Sequence, residues 1–223
     1  MNQESGFNKN SSAFTLAEIL VVMAITSIVG AILVVIFTNT LRGSNKSQIL
    51  AVIKQNGQAV LETMDKNVRN SDNVICPTLG NPSNTLVIVK NGCYTRYKFI
   101  VPSPTQNGQI QQDNPQPDPS TPCAQNSPTP APTDIQSFIN SVCTDPMVNP
   151  TVLTDTNEQS GVSVECPASD CSINPPPVFT RDKPAGAKDQ VTIKFNLKPG
   201  VSASSAITSQ IDPVTFQTTI GLR

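Results

Sequence analysis

The sequence contains no histidine and no tryptophan, and only 4% of its 223 residues are aromatic. The absence of histidine excludes Ser-His-Asp and Cys-His nucleophile systems and every metal site that needs an imidazole ligand. Charged residues make up 14% of the chain, against roughly 25% in a typical soluble domain. With 15 Lys+Arg against 16 Asp+Glu, the chain also lacks the basic excess of a protein that covers nucleic acid phosphates.

Motifs that hold a nucleotide, a cofactor or a metal ion are also lacking. The chain has neither a G-x-x-x-x-G-K-S/T loop nor a G-x-G-x-x-G fingerprint. The acids at Asp113, Asp118 and Asp155–Glu158 lack the spacing of a calcium loop, so we expect them in solvated loops. Lys and Arg are scattered without interleaved aromatics. The sequence therefore nominates no catalytic, cofactor-binding or metal-binding residue, and we expect no enzyme activity and no cofactor.

What the chain does have is a long apolar run near its start. Ile19–Phe37 carries no charge over 19 residues. As a helix it is about 28 Å long, close to the ~30 Å hydrocarbon core of a bilayer. A removable secretory signal is the alternative, but its apolar core spans only about 7–15 residues, and Thr38-Asn39-Thr40 is not a small-x-small cleavage site. The sequence therefore predicts a single membrane-spanning helix over residues 19–37.

The helix is predicted to continue beyond the membrane segment. Over residues 45–70, apolar residues recur at three-, four- and seven-residue spacing, which is typical of an amphipathic helix. They are Ile49, Ile53, Val60, Met64 and Val68. Asn70–Asn73 ends the pattern. We expect one helix over residues 14–70; the alternative is two helices with a break at residues 39–47.

Residues 71–223 are predicted to form a β-rich head. Strand-like segments are Thr85–Lys90, Cys93–Val101, Val162–Cys166, Val191–Leu197 and Val214–Leu222. Asn91-Gly92 favours a type I′ hairpin turn, and residues 135–142 favour a short helix. Residues 102–133 are rich in Pro, Gln, Asn and Thr, and we expect a solvated loop insertion that adds no core. The fold class is therefore α+β, with a long N-terminal helix packed on an antiparallel sheet.

An acidic residue, Glu18, stands directly against the apolar run. Thr15-x-x-Glu18 matches a capping box, which is one explanation for this acid. The whole block Ala13-Phe14-Thr15-Leu16-Ala17-Glu18-Ile19-Leu20-Val21-Val22, however, resembles the class III signal of type IV pilins and type II secretion pseudopilins. Ala13 stands where that family usually has Gly.

The resemblance implies how the N-terminus is processed and used. Residues 1–13 would be a leader that prepilin peptidase removes by cutting between Ala13 and Phe14, and Phe14 would then be N-methylated. Glu18 would become the fifth residue of the mature chain, the family's acid that pairs with the N-terminal amine of a neighbouring subunit during assembly. Each charge is expensive alone among apolar helices, and each neutralises the other there.

All six cysteines lie after the membrane helix. They are Cys76, Cys93, Cys123, Cys143, Cys166 and Cys171. In a Pro-rich chain they indicate disulfides in an oxidising compartment, and a thiolate metal site is disfavoured because the chain has no C-x-x-C and no histidine. Fifteen pairings are possible. We expect the sequential one: Cys76–Cys93, Cys123–Cys143 and Cys166–Cys171.

The resemblance implies a minor pilin or pseudopilin subunit in a type IV pilus or a type II secretion pseudopilus. The order of the head elements resembles, more loosely, the larger minor pilins and the J-type minor pseudopilin. The subunit would be anchored in the plasma membrane with an extracytoplasmic head, and after assembly it would lie at the cell surface or in the periplasm. Its partners would be prepilin peptidase and other pilin or pseudopilin subunits, with no nucleic acid. The alternative is a single-pass anchored surface protein whose head binds a ligand or carbohydrate without filament assembly.

Overall fold

A computed structural model of the chain describes residues 15–117, 123, 135–167, 177–204 and 211–222, and it divides into two compact units, residues 1–45 and 46–223. In the first unit, the described residues form the N-terminal part of helix α1 (Leu16–Arg69). The Glu18 N–H donates hydrogen bonds to the Thr15 carbonyl at 3.1 Å and to the Thr15 hydroxyl at 3.3 Å, so Thr15 caps the helix. The helix runs without interruption through residues 39–47, so the two-helix alternative is wrong.

The second unit contains two antiparallel sheets and a short helix. The first sheet has the order β1 (Asn73–Cys76), β2 (Thr85–Lys90), β3 (Cys93–Ile100), β4 (Gln109–Asp113) and β5 (Thr151–Val152). Helix α2 (Ile135–Ser141) precedes β5 in the chain. The second sheet consists of β6 (Val162–Glu165), β7 (Phe179–Asp182), β8 (Gln190–Pro199) and β9 (Val214–Gly221). Strand β9 pairs along one edge of β8, whereas β6 and β7 pair with successive parts of the other edge.

The main core forms between the amphipathic part of α1 and both sheets. The buried residues of α1 recur every three or four positions and are Ile53, Gly57, Val60, Met64 and Val68. Alternate residues of the strands meet them, because successive side chains of a strand point to opposite faces. From the first sheet these include Leu86, Ile88, Tyr97 and Phe99, and from the second Val191, Ile193, Phe195 and Leu197. The predicted α+β arrangement of a long helix on antiparallel sheet is confirmed.

A smaller core lies on the opposite face of the first sheet, where α2 packs. It contains Cys76, Val87, Tyr94, Phe138 and Val142. The Tyr94 and Phe138 rings meet edge to face, with their centroids 4.9 Å apart. The first sheet is therefore covered on both faces, by α1 on one and by α2 on the other.

The five predicted strands are all present, with ends that agree to within two residues. Asn91 and Gly92 have φ angles of 51° and 79°, as a type I′ turn requires. The prediction that residues 102–133 form only a solvated loop is wrong, because β4 lies inside this range and its Ile110 is fully buried. Gln109, Gln111 and Gln112 surround Ile110, so the strand has too few apolar residues to show alternation. Residues 118–122 and 124–133 of this range lie outside the described residues.

Candidate functional site

The N-terminal part of α1 is apolar on all sides and exposed within its unit. Leu16 is 77% exposed and Phe37 is 65% exposed, and the large apolar side chains between them are about as accessible. Water does not favour such a surface, and an apolar face this large marks contact with lipid or with other protein. Among the described residues, α1 is the helix that is long and apolar enough to cross a membrane. The N-terminal helix thus fits a membrane-anchored protein.

The hydroxyl groups in this segment are satisfied within the helix. Thr26, Ser27, Thr38 and Thr40 each donate to the carbonyl four residues earlier, at 2.7 to 2.9 Å. A polar group in hydrocarbon needs an internal partner, since no water is available there. These bonds allow the segment to enter an apolar phase without leaving a hydroxyl unpaired.

Glu18 is the charged residue of this segment, and its carboxylate is exposed in the first turn of α1. The backbone N–H of Glu18 binds Thr15, which is the N-cap half of the predicted capping box. The carboxylate has no salt-bridge partner among the described residues. Ala13 and Phe14, the predicted cleavage and methylation residues, lie outside the described residues, as does the rest of the leader.

The sequence prediction missed a buried ion pair in the head, between Arg96 on β3 and Asp113 at the end of β4. The Arg96 Nε and Nη2 atoms donate to the two Asp113 carboxylate oxygens at 2.9 and 2.5 Å, and both side chains are only 1% exposed. The other guanidinium hydrogens go to backbone carbonyls. These are Val142 at 2.8 Å, Asp145 at 3.0 Å and Pro146 at 3.0 Å. All five donors of the guanidinium are therefore used.

Asp113 thus does not lie in a solvated loop, and that prediction is wrong. Its carboxylate also accepts from the Val148 N–H at 3.0 Å, so it joins β3, β4 and the segment that follows α2. Because both charges are fully paired, the pair has no free group for acid–base chemistry. The sequence position of Arg96 could have indicated its burial. Arg96 lies between Tyr94 and Lys98 on one face of β3, and Tyr97 and Phe99 lie on the other face.

The disulfides differ from the predicted sequential pairing. Cys76 is bonded to Cys143 and Cys93 to Cys123, with Cα–Cα distances of 6.1 and 5.5 Å. The first bond joins the end of β1 to the segment after α2, and the second joins the start of β3 to Cys123, and sequence order alone reveals neither pairing. Cys166 is also disulfide-bonded, whereas Cys171, its expected partner, lies outside the described residues.

One titratable side chain of the main core has a strongly shifted pKa. Burial raises the pKa of Tyr97 to about 12, although the hydrogen bond that its hydroxyl accepts from Asn67 works in the opposite direction. The bond is 2.5 Å long and connects β3 to α1. Because Tyr97 lies in the main core, its hydrogen bond with Asn67 is a structural contact.

A cavity of about 600 Å³ lies where the loop after β3 meets the ends of β6 and β8. Its charged residues, Glu165 and Lys198, bind each other at 2.8 Å, so neither presents a free charge to a ligand. In the described part of the chain, no group of three His, Cys, Asp or Glu side chains lies close enough together to hold a metal ion.

Comparison with known proteins identifies the N-terminal segment. The family described as "Prokaryotic N-terminal methylation motif" matches residues 8–34, which include the predicted cleavage site and most of the apolar run. Searches of curated proteins and of solved structures found no match. The prepilin-type motif supports a type IV pilin-like protein that is a substrate of prepilin peptidase, and it points to a structural subunit rather than an enzyme.

Proposed function

We propose that this chain is a minor pilin or pseudopilin that prepilin peptidase processes and that is assembled into a type IV pilus or a type II secretion pseudopilus. The observation that carries the proposal is the methylation motif over residues 8–34, followed directly by an exposed apolar helix. The motif supports cleavage between Ala13 and Phe14 and methylation of Phe14. The cut would leave a charged amine on Phe14, four positions before Glu18, which would become the fifth residue of the mature chain.

The apolar part of α1 would then have two successive environments. In the precursor it spans the plasma membrane. In the filament, helices of neighbouring subunits replace the lipid around it, and no water becomes available in the exchange. A charge in such a place needs a partner of opposite sign, and Glu18 would take the N-terminal amine of the next subunit.

The head would lie outside the cytoplasm. The two disulfides of the first sheet support this placement, because disulfides persist in oxidising compartments. The head would decorate or prime the fibre rather than catalyse a reaction.

The test is to replace Glu18 in cells that contain the assembly machinery. Glu18→Ala should reach the membrane at the wild-type level, because removing a charge from the end of an apolar helix favours insertion. The variant would leave the N-terminal amine of the next subunit without a partner, and an unpaired charge among apolar helices costs about 2.5–3.5 kcal/mol. The amount of the variant in sheared filaments should therefore fall at least about tenfold.

Glu62→Ala is the matched control, because Glu62 is an exposed acid on the same helix outside the motif. It should enter filaments as the wild type does. If Glu18→Ala also enters them normally, the assembly role of Glu18 is refuted and the anchored ligand-binding protein becomes the better explanation.

A further inference from the structure

We propose that residues 135–148, called the α2 cover here, form a redox-released cover on the first sheet. The Cys76–Cys143 disulfide holds the cover in place, and reduction of this bond releases it while the main core stays folded. The proposal concerns the head alone and does not depend on filament assembly.

Little apolar burial holds the α2 cover on the sheet. Helix α2 has seven residues, which is too short for a helix to be stable alone, and Phe138 is its one buried residue. The smaller core that it shares with the first sheet contains five buried residues, of which Phe138 and Val142 belong to the cover, whereas the main core contains 21. Apolar burial therefore stabilises the cover much less than the rest of the head.

The Cys76–Cys143 bond attaches the cover where it is most effective. Cys76 ends β1, and Cys143 lies two residues after α2, so the bond closes a chain separation of 67 residues. While the rest of the head stays folded, the segment that the bond restrains is the one between β4 and β5, residues 114–150. By loop-closure entropy, a bond across a segment of this length changes an opening equilibrium by up to several hundred-fold, roughly. The Cys93–Cys123 bond, with a separation of 30 residues, does not include any residue of the cover.

Arg96 explains why release would stay local. Its guanidinium donates to the carbonyls of Val142, Asp145 and Pro146, and the Asp113 carboxylate accepts from the Val148 N–H. Water can replace these four bonds when the cover leaves. The Arg96–Asp113 pair lies between β3 and β4, and those strands pair with each other directly. Opening the cover therefore exposes Val87 and Tyr94 but leaves neither charge without its partner.

The chemical step is thiol–disulfide exchange with a dithiol. One thiolate of the dithiol attacks a sulfur of the Cys76–Cys143 bond and displaces the other cysteine as a thiolate. The second thiol of the dithiol then breaks the mixed disulfide. Two electrons and two protons pass to the protein, which gains two cysteine thiols, and the dithiol becomes a cyclic disulfide.

The test is hydrogen exchange of the full chain in detergent micelles, read by mass spectrometry. Amides of the α2 cover should exchange on the order of 100-fold faster in Cys76→Ser/Cys143→Ser than in the oxidised wild type. Amides of β8 should keep their protection. Cys93→Ser/Cys123→Ser is the matched control, and its cover should stay protected.

Oxidised wild type treated with dithiothreitol provides a second measurement that does not require a variant to fold. It should lose protection in the cover before it loses any in β8. The proposal is overturned if the cover keeps its protection after reduction, if β8 loses protection together with it, or if the control variant opens the cover as fully as Cys76→Ser/Cys143→Ser does.

Discussion

At the residue scale, the first sheet of the head depends on a buried pair of charged side chains whose partners are all in place. Arg96 and Asp113 are the clearest case, since two full charges lie in the interior and bind each other and the backbone. Such a pair contributes little net stability when intact, because both charges had to leave water. Removing only one of the two residues is strongly destabilising, because the remaining charge is still buried and no longer has a partner.

Arg96→Ala should therefore destabilise the head by about 3–5 kcal/mol. The measurement is the midpoint of chemical unfolding of the purified protein. A paired replacement, Arg96→Met with Asp113→Leu, should recover a large part of the loss, because it leaves no buried charge.

Arg69→Ala is the control for charge removal as such. Arg69 pairs with Asp65 one helical turn earlier, but Arg69 is exposed and Asp65 is only partly buried, so the midpoint should not change measurably. An Arg96→Ala variant as stable as Arg69→Ala would show that the buried pair is not essential to the head.

Tyr97 makes a prediction about pH. Its folded pKa is about 12, above the ordinary tyrosine value of about 10, so the folded state holds the proton more tightly. The raised pKa therefore adds about 3 kcal/mol to the free energy of unfolding. This contribution is complete below about pH 10 and is lost as the pH rises towards 12.

The measurement is chemical unfolding of wild type and of Tyr97→Phe from about pH 9 to about pH 12. The difference in stability between the two proteins should shrink across this range, because the variant has no proton to lose at this site. A difference that stays constant with pH would contradict the assigned pKa.

At the element scale, the close contact between α1 and β9 depends on a glycine. A Cβ atom at Gly57 would lie 2.3 Å from the ring of Phe216, which itself stacks on Phe195. Glycine is normally unfavourable inside a helix. Here it lets the helix approach the second sheet closely enough to bury its apolar stripe.

Gly57→Ala should destabilise the head by about 1–3 kcal/mol, because the ring must move to make room. Gly43→Ala on the same helix should not destabilise, since a Cβ there meets nothing within 4 Å. The measurement is again the unfolding midpoint. Phe216→Leu should reduce the effect of Gly57→Ala in the double variant, and strictly additive effects would contradict the contact.

At the scale of the whole molecule, much of the architecture could be predicted from the sequence. The spacing of apolar residues and the residue types at turns depend only on neighbours in the chain. The apolar stripe from Ile53 to Val68 and the alternation of β8 each indicate their element directly. The Asn91-Gly92 turn does the same for the β2–β3 hairpin. These signals need no knowledge of what the element packs against.

The features that could not be predicted depend on partners far away in the chain. Strand β4 exists because β3 offers an edge to it, and Asp113 is buried because Arg96 lies opposite. The Cys76–Cys143 disulfide forms because α2 folds back over the first sheet. The predicted pairing joined cysteines that are neighbours in the sequence, whereas the fold joins Cys76 to Cys143 across 67 positions.

The prepilin route is the central claim, and the N-terminus of the mature protein tests it most directly. Mass spectrometry of membrane and sheared-filament fractions, from cells with an active prepilin peptidase, reads the first residue and its mass. We predict a chain that begins at Phe14 and carries one N-methyl group. A chain that still begins at Met1 in both fractions would contradict the claim and leave an anchored protein that is not processed.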